Sequence, residues 1–389
     1  MADLPIVVVA YNRIESLKRI LGSLLQAEYP ESGAELIISI DRGDNADVLR
    51  YARDFSWPFG EKQVVYQPEN LGLKKHILRC GGLTQAHDGI ILLEDDLYVS
   101  PDFYRYALEC LDFVRGKDEI AGVALYNHRL SQLTEKVFEP LEDGFDNWYF
   151  QYACSWGQLW TRHQWALFSA WLEENGDYDF GRSAKIPVHI REWGKHSWLK
   201  YHIAFTIETG RFFLYPRVAR STCFSDAGVN FSEKESTYQV PLMPGGRAAP
   251  LRLSEIKESK AVYDAWMENL WLRTALHNQD LCLDMYGSKP GFEGKGCVLT
   301  SRRVENAQLL QSFGREMRPQ EWNVLAAVPG DELRLYRLTE HSQASPEARR
   351  DRMADAAYHI RGISYSYKKT ILLLFWQETW RKIQKKLKK

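Results

Sequence analysis

The sequence predicts an α/β protein with a Rossmann-like, mostly parallel sheet flanked by helices. Apolar, β-prone segments alternate with amphipathic segments through the first hundred residues. The connections between them are short, and short right-handed crossovers assemble such a chain into a parallel sheet. Four aliphatic residues at 90–93 run directly into three acids. This pattern is typical of a buried parallel strand whose carboxyl end faces a ligand.

The individual elements follow from the spacing of the apolar residues. Strands are predicted at 5–10, 35–40, 63–67, 89–93, 120–126 and 212–218. Helices are predicted at 14–26, 46–55, 74–86 and 101–114. Ser100 is expected to be the N-cap of the last of these helices, with Pro101 at its first position.

The rest of the chain divides by composition. Residues 148–198 are aromatic and irregular, and 220–239 have the composition of a mobile loop. We therefore expect a first domain at 1–240, then a linker and a helix (254–277) within 241–280. A small accessory α/β region is expected at 281–340, with strands at 281–285, 297–300, 322–328 and 332–338, and a helical tail at 341–389.

Charge and cysteine content limit the classes of function. Fifty Lys and Arg against 51 Asp and Glu give a net charge of -1, so no overall positive field favours nucleic acid. The six cysteines form no C-x-x-C pair, which indicates reduced thiols in a cytoplasmic protein. We expect no signal peptide, because a strand begins within the first residues, and no apolar run approaches the ~20 residues of a membrane span.

The acids Glu94, Asp95 and Asp96 are the strongest functional signal. Three adjacent carboxylates repel one another unless a cation lies against them, and Mg²⁺ or Mn²⁺ binds carboxylate oxygens together with substrate phosphates. The sequence therefore predicts a divalent metal at this strand end. A solvated acidic loop after a strand is the alternative.

Other polar groups follow the neighbouring predicted strands. Arg13 follows the first strand, Asp41 ends the second, and Lys74, Lys75 and His76 follow the third. The carboxyl ends of parallel strands meet at one edge, so these groups should converge with the acids. Arg13, Lys74 and Lys75 would supply cations for a pyrophosphate, and an acid could accept a hydrogen bond from a base or ribose. No glycine-rich phosphate loop follows the first strand, so we expect a metal to hold the phosphates.

Tryptophans are concentrated between residues 148 and 198, where seven occur. Indole rings stack on the C–H faces of sugars but also build apolar cores. We expect most of them in the core, with Trp156, Trp193 and Trp198 as the candidates for acceptor binding.

Several short motifs, most of them at or near the predicted strand ends, recur together in one family: Ala10-Tyr11-Asn12-Arg13, Ser39-Ile40-Asp41, Lys75-His76, Glu94-Asp95-Asp96, Ser100-Pro101-Asp102-Phe103, Ala124-Leu125-Tyr126-Asn127, Ser197-Trp198 and Tyr215-Pro216. With them, the first 235 or so positions resemble a GT-A glycosyltransferase. The resemblance is to the Golgi mannoside N-acetylglucosaminyltransferase I group and to bacterial family-2-like enzymes of surface polysaccharide assembly.

The resemblance implies roles for individual residues. Asp96 would bind the metal, Arg13 the donor phosphates, and Asp41 the uracil or ribose. His76 would contact the nucleotide, and Glu94 with Asp95 would position the ribose and the sugar. A loop around 228–230 would close over the bound donor as a lid.

One departure from the family concerns the catalytic base. In the Golgi enzymes an aspartate follows the tryptophan that matches Trp198, whereas here Leu199 and Lys200 follow it. An inverting transfer needs a group that accepts the proton of the acceptor hydroxyl. Asp226, in the expected lid, is the first substitute and Glu192 the second; a retaining mechanism or a silent protein are the alternatives.

The sequence therefore predicts a transferase dependent on Mn²⁺ or Mg²⁺ that moves a sugar from a nucleotide-sugar donor, with UDP as the expected carrier, to a glycan or lipid-linked acceptor. A sugar nucleotidyltransferase is one rival, although it usually carries a glycine-rich first loop. A catalytically silent glycan-binding or nucleotide-binding scaffold is the other.

The C-terminal residues 368–389 form a basic amphipathic pattern. They include eight Lys or Arg and one Glu, with Leu373, Trp376 and Trp380 spaced three or four apart. Such a helix is typical of a segment that lies on an anionic membrane, here the inner leaflet. A terminal helix that packs on its own domain is the alternative.

Overall fold

The computed structural model describes residues 3–181, 183–226, 237–246, 249–292, 294–346, 349–361 and 367–387. The chain forms two compact units. The first comprises Met1–Leu133 and Pro140–Trp271, and the second comprises Thr134–Glu139 and Leu272–Lys389. The first unit therefore continues past residue 240, where the sequence analysis ended its first domain, and the boundaries expected at 280 and 340 stay predictions.

The first ninety-odd residues alternate strand and helix as expected: β1 (Ile6–Ala10), α1 (Ile14–Leu25), β2 (Leu36–Ile40), α2 (Ala46–Asp54), β3 (Lys62–Tyr66), α3 (Gly72–Gly81), followed by a 3₁₀ turn (Gly82–Gln85), and β4 (Gly89–Glu94). The strands β1 and β2 are buried along their whole length, which explains their mostly apolar sequences. In α1 the buried Leu17, Ile20 and Leu24 recur every three or four residues, as one face of a helix requires.

The first unit continues with β5 (Leu97–Val99), α4 (Phe103–Val114), β6 (Ile120–Ala124), β7 (Asn147–Phe150), β8 (Gln158–Thr161), α5 (Arg162–Glu174), α6 (Val188–Glu192), α7 (Trp198–Glu208), β9 (Phe212–Pro216), β10 (Ser221–Cys223) and β11 (Val262–Tyr263). The segment 148–198, expected to be irregular, thus contains regular strands and helices. The start of its first long helix, α5, is marked in the sequence, because Thr161 and Gln164 form a capping box.

Nine strands form one sheet in the order β11-β7-β9-β6-β8-β4-β1-β2-β3. The neighbours β4, β1, β2 and β3 are parallel, which confirms the predicted mostly parallel sheet. The strand β8 is antiparallel to both β4 and β6, so those two strands point the same way. The carboxyl ends of β1, β2, β3, β4 and β6 therefore lie at one edge of the sheet.

The second unit contains α8 (Leu272–Ala275), β12 (Leu281–Asp284), β13 (Cys297–Thr300), β14 (Val304–Glu305), β15 (Gln308–Phe313), α9 (Glu321–Leu325), β16 (Leu333–Arg337), β17 (Gln343–Ala344), α10 (Arg349–Arg361) and α11 (Tyr367–Leu387). Four of these strands form a sheet in the order β12-β13-β16-β15. Three of the four expected strands are present. In the described part of the chain, no helix combines the length and the apolar character that crossing a bilayer requires.

Three local expectations were wrong. The helix α4 begins at Phe103 rather than at Pro101, because the Ser100 hydroxyl bonds to Asp102 (2.8 Å) instead of capping. Residues 254–277 do not form one continuous helix: Val262 and Tyr263 pair with β7, and only Leu272–Ala275 near the end of the segment is helical. Residues 322–328 are not a strand: Glu321–Leu325 is a helix, and short apolar runs suit either structure.

Candidate active site

The acidic triplet lies at the carboxyl end of β4. Glu94 is the last residue of the strand, and Asp95 and Asp96 form the turn that leads into β5. The site is thus a turn between the two strands β4 and β5. Asp95 and Asp96 are only 3% and 8% exposed. The backbone N–H of Phe224 donates to the carbonyl of Asp96 (2.9 Å), which places the chain after β10 beside the turn.

Arg13 bridges the two aspartates. It follows β1, the parallel neighbour of β4. Its guanidinium forms a close ion pair with Asp95, and its Nη1 donates to Asp96 Oδ2 (3.3 Å). The same Nη1 donates to the backbone carbonyl of Asp226 (3.2 Å). The convergence expected from the strand ends is therefore present for Arg13 and the acidic turn.

The pKa values show that the carboxylates outnumber the cations here. Burial, with the charges of Asp96 and Asp95, raises the pKa of Glu94 to about 8. Burial raises the pKa of Asp95 to about 6, although the charge of Arg13 acts against it, and burial raises the pKa of Asp96 as well. Burial alone would lower the pKa of Arg13, but the carboxylates outweigh it and raise that pKa. The excess of negative charge at this site favours the binding of a proton or of a second cation.

Asp226 is held by a second arginine. Arg19 forms a close ion pair with its carboxylate, and the Ser16 hydroxyl donates to Asp226 Oδ2 (2.8 Å). The Arg19 guanidinium also lies over the ring of Phe224, 4.1 Å from its centroid. Sequence analysis missed Ser16 and Arg19, although the successive spacing of three from Arg13 to Ser16 and from Ser16 to Arg19 places these residues on neighbouring turns at the start of α1. The expected lid at 228–230 lies outside the described residues.

A divalent cation fits the aspartates. The carboxylates of Asp95 and Asp96 already reach a single cationic group, the guanidinium of Arg13, so their oxygens point to common space. Two carboxylates plus substrate phosphates are a usual set of ligands for Mg²⁺. In the described part of the chain, the group of three metal-ligating side chains that converges most closely is instead Asp3, Glu35 and His87. These residues precede β1, β2 and β4 and so lie at the opposite edge.

Asp41 and His76 serve the structure around the site. The Asp41 carboxylate accepts hydrogen bonds from the backbone N–H groups of Leu71 (2.8 Å) and Gly72 (2.9 Å), and so fixes the start of α3. His76 is 2% exposed, its Nε2 lies 2.7 Å from the Ser39 hydroxyl, and burial lowers its pKa. Lys75 is exposed on α3. Their contacts with a donor stay predictions.

The three tryptophans proposed for the acceptor differ in position. Trp198 is 2% exposed. It forms a hydrogen bond to Glu94, which lowers the pKa of Glu94 and so acts against the effect of burial. It therefore offers no open face to a sugar. Trp156 is half-buried against Tyr126, with ring centroids 4.5 Å apart, and Trp193 is half-buried after α6.

Lys200 follows Leu199 after Trp198, and its role is structural. It is 6% exposed, and its Nζ donates to the backbone carbonyls of Arg191 and Trp193, both at 2.7 Å. Glu192, the second candidate base, is exposed at the end of α6.

Comparisons with known proteins give a distant likeness only. No protein-family model matches the chain, and no curated protein matches it. Among solved structures, a mannosyltransferase, PcManGT from Pyrobaculum calidifontis in complex with GDP-Man and Mn²⁺, is 14% identical with a TM-score of 0.34, over 56% of this chain and 58% of that one. S. aureus TarS 1–349 is 13% identical with a TM-score of 0.33, over 56% and 59%. GalNAc-T7 with UDP, GalNAc and Mn²⁺ is 12% identical with a TM-score of 0.38, over 56% and 43%.

The chain thus spans less than two thirds of the length of each of these structures. Identities and TM-scores this low do not identify the family of the chain.

Proposed function

We propose that this protein is a GT-A glycosyltransferase that transfers a hexosyl or N-acetylhexosaminyl group from a nucleoside diphosphate donor, UDP-linked in the first instance, to a glycan or lipid-linked oligosaccharide in surface polysaccharide assembly. One observation carries the proposal. A buried aspartate pair and an arginine converge at the carboxyl ends of the parallel strands β4 and β1. That edge is where open α/β sheets bind their ligands.

The chemistry of these groups suits a diphosphate. The guanidinium of Arg13 can donate to two phosphate oxygens at once, as it now does to carboxylate oxygens. Asp96, with Asp95 beside it, would hold Mn²⁺ or Mg²⁺. When bound, the metal supplies positive charge that stabilises the departing diphosphate. Glu94 and Asp95 would orient the ribose and the sugar, and Asp41, Lys75 and His76 would complete the donor side.

The proton of the acceptor hydroxyl needs an acceptor in the protein. Asp226 is our first choice, because its backbone already contacts Arg13 and its carboxylate lies beside α1. It would have to leave Arg19 before it could accept a proton. Glu192, whose side chain is exposed, is the second choice.

Asp96→Ala tests the proposal. Wild-type protein should bind UDP more tightly with Mn²⁺ than without it, as measured by calorimetry, and should release UDP from a UDP-sugar. The variant should lose the Mn²⁺-dependent part of UDP binding by at least tenfold and keep its circular dichroism spectrum. Asp112→Asn, an exposed carboxylate at the far end of α4, is the control and should behave as wild type. Full Mn²⁺-dependent binding in Asp96→Ala would refute the metal site.

A silent nucleotide-binding protein is the second candidate, favoured by one observation. Arg19 and Ser16 occupy the carboxylate of Asp226, and Leu199 stands where the family carries its base. Such a protein would bind UDP with Mn²⁺ but release no UDP from any UDP-sugar, with or without an acceptor. Measurement of released UDP therefore separates the two candidates.

We also propose that α11 holds the enzyme at the cytoplasmic membrane surface, close to lipid-linked acceptors. The helix exposes Leu373 (69%), Trp376 (62%) and Trp380 (63%), and its flanks are rich in lysine. Exposed aromatic and aliphatic side chains next to basic residues are the composition of interfacial helices on anionic lipid.

A further inference from the structure

The four-stranded sheet of the second unit has one covered edge and one open edge. The edge strand β12 is buried at all four of its residues. The opposite edge strand, β15, has four exposed residues in a row, from Gln308 to Gln311. Among the described strands, β15 pairs only with β16. Its outer backbone N–H and C=O groups therefore have no strand beside them in the described part of the chain.

The edges of the nine-stranded sheet are better protected than this one. The edge strand β11 has only two residues, and the edge strand β3 begins with Lys62. Short edge strands and lysine side chains are two means by which proteins prevent a sheet edge from pairing with another chain. The strand β15 has six residues and no lysine, so neither means applies to it.

Two leucines are exposed at the open edge. Leu309 is 50% exposed and Leu310 is 41% exposed. The register of β15 with β16 shifts between Leu309 and Gln311, and a bulge of this kind re-aims the side chains around it. Apolar side chains beside free backbone groups form a surface that an added strand would cover, with main-chain hydrogen bonds and apolar contacts together.

A second copy of the chain suits this edge by charge. Residues 306–314 include no Asp, Glu, Lys or Arg, so two copies of this stretch meet without repulsion between like charges. Glu305 precedes the stretch. In an antiparallel pair the two copies of Glu305 lie at opposite ends, so they do not face each other.

A second copy also suits the edge by symmetry. A two-fold interface brings the same surface of both copies together and so must be complementary to itself. The sequence Gln308-Leu309-Leu310-Gln311 reads the same in both directions. Antiparallel pairing of this segment with itself therefore places leucines beside leucines and glutamines on either side of them.

We propose that β15 pairs antiparallel with β15 of a second copy of this chain, so that the two four-stranded sheets continue into each other. The inference goes beyond the proposed function and does not rest on it. Six residues on each side are few beside the about 20 to 30 of a standard interface. The dimer should therefore dissociate on dilution.

Sedimentation velocity at about 1 to 100 µM protein tests the dimer, since this range spans a moderate dissociation constant. Wild-type protein should shift from monomer to dimer across the series. The double variant Leu309→Lys with Leu310→Lys should stay monomeric and keep its circular dichroism spectrum, because like charges would then meet across the strand pair. Leu25→Lys, at a leucine of α1 with 40% exposure, is the matched control and should dimerise as wild type.

The helix α11 also exposes apolar side chains, so the series is repeated with Trp376 and Trp380 both replaced by serine. Association through α11 would be lost in that variant, whereas pairing of β15 should be kept. The inference is overturned if wild-type protein is monomeric at every concentration. It is likewise overturned if the dimer is lost with the two tryptophans or kept with the two lysines.

Cysteine cross-linking locates the contact. Residues opposite each other in an antiparallel pair have Cα atoms about 4.5 to 5.5 Å apart, within reach of a disulfide. Under oxidation, Leu309→Cys or Leu310→Cys should give a disulfide-linked dimer, according to which leucine lies on the two-fold axis. Wild-type protein should not, nor should Glu340→Cys, at a side chain of the same unit with 86% exposure. A dimer in solution that neither leucine position cross-links would place the contact elsewhere and overturn the inference.

Discussion

The acidic turn shows how few residues set the charge state of a site. Two unit charges 4 Å apart repel by about 4 kcal/mol at an effective dielectric constant near 20. One arginine cannot offset that cost for three neighbouring carboxylates. Burial, together with these charges, raises the pKa of Glu94 to about 8, so Glu94 holds its proton at pH 7 while Arg13 pairs with Asp95 and Asp96. A divalent cation at the aspartates would release that proton and free Arg13 for a phosphate.

Buried histidines give the first unit a predictable sensitivity to acid. His202 is fully buried and stacks on Phe168 at 4.1 Å, and burial lowers its pKa to about 3 from an ordinary value of about 6.5. Below pH 6.5 this histidine is protonated in the unfolded chain but stays neutral in the folded chain. Stability is therefore complete above pH 6.5 and is lost as the pH falls toward 3.

We predict that His202→Phe reduces this loss. Between pH 7 and pH 5 the wild-type protein should lose about 2 kcal/mol of unfolding free energy per such histidine, as an upper bound. Urea unfolding at pH 7, 6 and 5 should show a flatter dependence for His202→Phe. His163→Gln, at an exposed histidine, should keep the wild-type slope. If the unfolding free energy of His202→Phe depended on pH as steeply as that of the wild type, His202 would not be the source of the acid sensitivity.

At the scale of elements, close packing of α3 on α5 depends on a residue without a side chain. A methyl group added to Gly81, at the end of α3, would overlap the indole ring of Trp165 in α5. The next residue, Gly82, has open space at the same point and a helical backbone. The two glycines therefore form a matched pair.

Gly81→Ala should lower the free energy of unfolding by about 1 to 3 kcal/mol, because a well-packed core resists an added methyl group. Gly82→Ala should be neutral or slightly stabilising, since alanine reduces the freedom of the unfolded chain. Chemical denaturation of the two variants beside wild type gives both values. Equal losses would show that the helix end, not the contact with Trp165, sets the cost.

Elements differ in how much of them the sequence predicts. The strands and helices of residues 5–94 were predicted within two residues, apart from the longer end expected for α3, because each has an unbroken apolar run or a clear helical face. The helix α5 was missed although Thr161 and Gln164 mark its start. Residues 262–263 could not be predicted as a strand, because only pairing with β7, more than a hundred residues earlier, defines them.

At the scale of the whole molecule, the C-terminal helix carries the proposed contact with a membrane surface. Six consecutive apolar residues, from Ile371 to Trp376, are exposed around the helix, at 47% to 69% each. Such a surface is costly in water and favourable in an interfacial layer of lipid. The lysines on either side would attract anionic headgroups, at about 1 kcal/mol each near the surface.

We predict that the protein floats with vesicles that contain phosphatidylserine and not with vesicles of phosphatidylcholine alone. Replacement of Trp376 and Trp380 together by serine should reduce flotation at least fivefold. Trp322→Ser, at a tryptophan with 42% exposure in α9, is the matched control and should float as wild type. Flotation that is equal for both lipids, or unchanged in the double variant, would exclude an interfacial role for α11.

The sequence by itself determined the mostly parallel sheet and the edge at which the polar groups gather, because both follow from local periodicity and from the direction of parallel strands. Only the tertiary structure decided how those groups are used. Asp41 accepts backbone hydrogen bonds and His76 lies beside Ser39 in the core, Trp198 is buried against Glu94, and Arg19 pairs with Asp226. These outcomes depend on contacts between residues that are distant in sequence. Only the folded sheet brings those side chains together, and so only the fold decides which of them are buried and which are paired.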